Sequence, residues 1–153
     1  MYKHIMVPLD GSALAECVLP HVDALAKVCL VENVTFVRVL KPIQFIAEDV
    51  TLPDKEWRRL YAEERAESEN YLKQLVSRLK YDKVNVKWQV LEGQVADNLV
   101  DYAVKNNVDL ILIATHGRSG VSRWVWGSVA DRILRSACVP VFMIRAPGCV
   151  PGI

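Results

Sequence analysis

The 153-residue chain has almost no net charge: 19 Lys and Arg stand against 18 Asp and Glu, a formal balance of +1 at pH 7. No whole-protein field is therefore available to draw in nucleic acid or an anionic membrane, and the lack of a basic helix also disfavours DNA binding. Long apolar runs are missing too. Stretches such as Leu110 to Thr115 fall far short of the roughly 20 residues that span a bilayer. The opening MYKHIMVPLD runs straight into Asp10, without the apolar length or the small-residue cleavage site of a signal peptide. We expect a cytoplasmic protein with no membrane partner. Cysteine is sparse and dispersed: Cys17, Cys29, Cys138 and Cys149 form no CxxC pair. Three of them fall in apolar segments, where they are expected to act as small buried hydrophobes and not as a disulfide framework. Cys17 and His21 share a helical spacing, yet the other ligands that a zinc site needs are missing, so no metal ligand is assigned. Repeats and low-complexity tracts are absent. Neither a Gly-Lys-Ser/Thr phosphate loop nor GxGxxG occurs, which argues against a rapid P-loop ATPase.

What is present is an alternation of periods. His4 to Leu9 is a short apolar run ended by the turn Asp10-Gly11-Ser12. From Ala13 to Cys29 the apolar residues recur at helical spacing, with Pro20 expected to kink or restart the helix. Val34 to Leu40 reads as a second strand and residues 41–53, with Pro42 and Pro53, as a long connection. A long helix is expected from about Asp54 to Lys80, with Leu60, Tyr71, Leu72, Leu75, Val76 and Leu79 as its buried stripe. Val84 to Leu91 alternates like a strand wet on one side. Gly93 precedes a helix carrying Val95, Leu99, Tyr102 and Ala103. Leu110 to Ala114 is continuously apolar, as in a central parallel strand. Residues 116–126 read as a loop, Ser128 to Ser136 as a helix and Val139 to Ile144 as a last strand. We expect one domain over residues 1–147, followed by a frayed tail over 148–153.

The pattern β-α-β-α-β-α-β-α-β implies an α/β fold with a parallel sheet, right-handed crossovers and helices on both faces. Ligands of such sheets sit beyond the carboxyl ends of the strands, where the strand order reverses. For an order 3-2-1-4-5 that reversal lies between strands 1 and 4, and the flanking loops are Asp10-Gly11-Ser12 and Thr115 to Gly120. The second loop carries Gly117, Gly120, Arg118 and Arg123 and has no carboxylate between Asp109 and Asp131. Gly127-Ser128 then opens a helix whose first amides carry the positive end of the dipole. Together these features suit an anion. The plainer alternative is that the glycines serve turns and that Ser128 and Asp131 form a capping box. Asp10 is likewise either a ligand residue or the cap of the first helix. Trp124 and Trp126 are expected to cover the sheet edge or a subunit contact.

Val-Pro-Leu-Asp-Gly-Ser at positions 7–12, THGRSG at 115–120 and WGSVADRILRSACVPVFMIR at 126–145 resemble the universal stress protein family over essentially the whole chain. The resemblance implies a five-stranded Rossmann-like fold of the adenine nucleotide alpha hydrolase-like type. Nucleotide-binding members carry Gly-x2-Gly-x9-Gly-Ser/Thr after strand 4; here the register is Ala114-x2-Gly117-x9-Gly127-Ser128, with alanine in place of the first glycine. Carried over by position, the resemblance implies that Val7, Pro8 and Asp10 border the adenosine and that Val39 meets adenine through its backbone. Ile113, Ala114, Thr115, His116 and Gly117 would line the nucleoside and first phosphate, and Gly127, Ser128 and Val129 would hold the phosphates. Arg118 is added from charge and position alone.

The expected function is an ATP-, ADP- or AMP-dependent sensor or switch, with Mg²⁺ compatible with that reading, and with no catalytic residue assigned. Two alternatives stay open: a dimeric interaction protein of the same fold without nucleotide, and a slow ATPase or phosphotransferase in which His116, which can titrate near neutral pH, takes part. The apolar final strand, Val139 to Ile144, is expected at the sheet edge, where pairing with its copy in a homodimer would cover it. The protein partner of such a switch is unknown.

Overall fold

The computed structural model describes residues 2–41, 54–81, 83–115 and 127–145. Five strands, β1 (His4–Pro8), β2 (Asn33–Leu40), β3 (Asn85–Glu92), β4 (Leu110–Ala114) and β5 (Val141–Ile144), alternate with α1 (Leu19–Val28), α2 (Asp54–Arg78), α3 (Val95–Lys105) and α4 (Ser128–Ser136). All pairings are parallel, as the alternation of periods implied, and the order is the expected β3-β2-β1-β4-β5.

Successive residues of a strand point to opposite faces, and the core divides accordingly. Ile5, Val7, Val34, Phe36, Leu110 and Leu112 pack with Val22 of α1 and with Leu72 and Leu75 of α2. Met6, Val37, Ile111 and Ile113 pack on the other face with Leu99 and Ala103 of α3 and Ile133 of α4. Helices thus cover both faces, and β4 is buried throughout. At the edge, β3 alternates between exposed and half-buried positions over most of its length. Pro20 sits in the first turn of α1, after a separate 3-10 turn over Ala15–Val18. This is the restart expected of a residue that has no N–H to donate but fits a first helical turn.

Four expectations change. Leu60 continues the helical period but is exposed at 38%, because burial on α2 falls in its C-terminal half, at Ser68, Leu72 and Leu75. Cys138 is exposed, while Cys17 and Cys29 are half-buried free thiols. The last strand begins at Val141, two positions later than its apolar run. The capping box is not formed: the N-cap of α4 is Gly127, its N–H goes to the Thr115 carbonyl at 2.8 Å, and Asp131 pairs with Arg135 at 3.0 Å. With glycine at the N-cap there is no side chain to close the box, and the Asp131 carboxylate is engaged by Arg135.

No helix among the described residues is long and apolar enough to cross a membrane.

Candidate functional site

A cleft of about 520 Å³ opens over the carboxyl ends of the strands, where β1 and β4 lie side by side and the chain leaves them in opposite directions. Its volume falls within the range of small-molecule sites. Of the positions singled out from the sequence, Pro8, Asp10, Val39, Ile113, Ala114, Thr115, Gly127, Ser128 and Val129 all line it. Val7 does not; it is fully buried in the core on the α1–α2 face. His116, Gly117 and Arg118, together with Gly120, Arg123, Trp124 and Trp126, lie outside the described residues.

Local chemistry shapes each wall. The turn after β1 is held by Asp10, whose Oδ1 accepts from the Ser12 N–H at 2.9 Å and the Ser12 hydroxyl at 2.6 Å. Gly11 sits between them at φ 84°, a backbone angle that residues with a Cβ resist. Ser12, and not Asp10, closes the next helical turn: its Oγ accepts from the Ala15 N–H at 3.1 Å. On the opposite wall, the bond from Gly127 N–H to the Thr115 carbonyl brings the start of α4 against the end of β4. The amides of Ser128, Val129 and Ala130 open α4, and an anion set against them meets several donors and the positive end of the helix dipole.

The two sides of the cleft differ in polarity. Towards α3 and α4 the lining is apolar, with Val37, Val39, Val95, Leu99 and Ile113. Ala114 packs on the opposite face, so the methyl group that replaces a motif glycine belongs to the α1–α2 side. That side is polar, with Asp10, Arg38 and Glu64. Arg38 is only 8% exposed, and its guanidinium lies 5.8 Å from the centre of the Tyr71 ring. The Tyr71 hydroxyl donates to Glu16 Oε1 at 2.9 Å. Burial, and then that bond, hold its pKa well above the usual phenol range, so Tyr71 stays a neutral donor. Glu64 reaches the cleft from α2 and Lys41 from the residue after β2.

Arg38, Lys41 and Glu64 were not anticipated. Lys41 could have been found by extending the carboxyl-end rule to β2, and Arg38 by asking why one arginine interrupts Thr35-Phe36-Val37-Arg38-Val39-Leu40. Nothing local marks Glu64. No group of three or more His, Cys, Asp or Glu with metal-binding geometry occurs among the described residues. A Mg²⁺ at this site would therefore depend on ligand oxygens, with Asp10 and Glu64 the carboxylates that line the cleft.

Residues 1–145 match the universal stress protein family. The chain is 30% identical over 148 residues to a universal stress protein of Methanocaldococcus jannaschii, covering 96% of this chain and 84% of that one. A solved structure of a second protein from the same organism superimposes with a TM-score of 0.81 at 24% identity, covering 95% and 96% of the two chains. The universal stress protein of Archaeoglobus fulgidus, solved in complex with dAMP, superimposes with a TM-score of 0.64 at 24% identity, over 94% of this chain and 98% of that one. Matching motifs, strand order and near-complete coverage agree: the chain belongs to the universal stress protein family.

Proposed function

We propose that this chain binds an adenine nucleotide (ATP, ADP or AMP) in the cleft between β1 and β4 and works as a nucleotide-dependent sensor or switch, not as a fast enzyme. The observation that carries the reading is the pairing of Gly127 with Thr115, which sets the first amides of α4 beside an apolar wall and faces them across the cleft with Asp10. The apolar lining suits a base and the amides suit phosphates. The dAMP complex of the Archaeoglobus fulgidus relative supports the same class of ligand. In this reading Pro8, Asp10, Val39, Ile113, Ala114, Thr115 and His116 surround the nucleoside, while Gly117, Arg118, Gly127, Ser128 and Val129 meet the phosphates. Ala114, which also lines the cleft, packs on the α1–α2 side. Phe142 on β5 is 43% exposed, and pairing of β5 with its copy in a cytoplasmic homodimer would cover it.

The test is direct. Purified protein is denatured, any released nucleotide is identified by mass, and ATP, ADP and AMP are titrated by calorimetry with and without Mg²⁺. Bound nucleotide without turnover is expected. A protein that arrives empty and ignores all three would overturn the reading in favour of a nucleotide-free interaction protein. Turnover abolished by His116→Ala would replace it with a slow ATPase.

A further inference from the structure

The polar side of the cleft is a continuous path of bonds. It leaves the cleft at Asp10, whose Oδ1 is gripped by Ser12. The Ser12 carbonyl accepts from the Glu16 N–H at 3.2 Å. The Glu16 carboxylate in turn accepts from the Tyr71 hydroxyl at 2.9 Å, with Arg78 at 3.8 Å on its other oxygen. The Tyr71 ring lies beneath Arg38, which re-enters the cleft that Asp10 faces. Four segments are joined in this way: the turn after β1, the 3-10 turn, α2 and β2. The turn bearing Asp10 is built around a glycine at positive φ, a residue that leaves the backbone freer than any other. A tie from outside the turn is what would hold it in one geometry.

We propose that Tyr71 is a positioning residue for the nucleotide: through Glu16 and Ser12 it fixes the Asp10 carboxylate in the cleft. The inference rests on the nucleotide reading above and adds residues to it that touch no ligand. Tyr71→Phe is the informative variant, because the ring stays beneath Arg38 and Arg78 still accompanies Glu16. Glu16→Gln keeps an acceptor for the hydroxyl, and Glu16→Ala removes it.

Two readouts decide the matter. In calorimetry with ADP, Tyr71→Phe and Glu16→Ala should weaken binding about tenfold, the scale of one hydrogen bond to a charged group, and Glu16→Gln should restore most of it. The Tyr71→Phe loss should vanish in an Asp10→Ala background, since residues acting through one another are not additive. In ligand-free protein, amide exchange at Ser12 and Glu16 should quicken about tenfold in Tyr71→Phe, while the β4 amides stay as protected as before. If wild type binds ADP and Tyr71→Phe binds it equally well, the inference fails and the nucleotide reading stands. If wild type ignores every nucleotide, that reading fails, and the exchange rates still judge the tie. Unchanged exchange at Ser12 and Glu16 overturns it in either case.

Discussion

Gly127→Asp should move stability and binding in opposite directions, and both magnitudes follow from the start of α4. Gly127 is the N-cap at φ −51° and ψ 133°, angles open to any residue, so no strain opposes a side chain. Aspartate is among the preferred N-caps and gains a few tenths of a kcal/mol over glycine. Its charge at the positive end of the helix adds about 0.3–1 kcal/mol. A total of about 0.5–1.4 kcal/mol corresponds to a rise in Tm of about 1–6 °C for a chain of this size.

The same carboxylate takes the amides a phosphate would use and repels it. At a separation of about 5 Å and an effective dielectric near 20, two unit charges cost about 3 kcal/mol, roughly a hundredfold in Kd. Thermal melts of ligand-free protein measure the first effect and calorimetry with ADP the second. Gly127→Asn, which caps without charge, should keep only the few tenths of a kcal/mol due to the cap and lose far less binding. ADP binding undiminished in a stabilised Gly127→Asp protein would remove the anion from α4. A Tm lowered by several degrees would refute the N-cap geometry itself.

Other perturbations probe the frame. Leu112 is fully buried in β4 and paired with Phe142, so Leu112→Ala should cost about 2–5 kcal/mol, read as a lower urea midpoint at unchanged slope; a loss well below that range would mean the sheet centre is looser than described. The Tyr81 hydroxyl is buried with no hydrogen-bond partner among the described residues. Tyr81→Phe should therefore be neutral or stabilising by up to about 1 kcal/mol in the same assay, and a clear loss would reveal a partner. Burial raises the Tyr81 pKa from 10.0 to about 12. A phenol held above its unfolded pKa favours the folded state while neutral, so its contribution is intact below the unfolded value and is lost as pH rises through the folded one. Melting temperatures should hold up to pH 10 and fall between 10 and 12 as phenolate absorbance grows, with a smaller drop in Tyr81→Phe.

The parts legible in the sequence are those that a local period or a topological rule decides. Leu110 to Ala114 reads as a strand covered on both faces because nothing in it tolerates water, and it is buried throughout. The location of the cleft followed from the strand order, since a parallel sheet whose order reverses between β1 and β4 leaves a gap there whatever residues surround it. The misreadings share one cause. Leu60 keeps the helical period of α2 but is exposed, since the helix is buried only at Ser68, Leu72 and Leu75. Ser128 and Asp131 match a capping signature, yet the N-cap falls on Gly127, which has no side chain to close the box, and Asp131 pairs with Arg135 instead. Local patterns state what a segment can do, and tertiary partners select among the options.

The polar side of the cleft is the extreme case of that selection. Glu16 and Tyr71 meet across 55 positions of sequence, and no period relates a 3-10 turn to the middle of a long helix. What the sequence does carry is a mismatch: one arginine in a run, Val34 to Leu40, otherwise built of β-branched, aromatic and aliphatic residues. A guanidinium keeps its charge wherever it is placed, and burying it unmatched costs several kcal/mol. Arg38 at 8% exposure therefore obliges the fold to gather compensating groups around it, and the Tyr71 face is one of them. A charge inside an apolar strand near its carboxyl end thus points to a cleft wall, and here it marks the end of β2 as one.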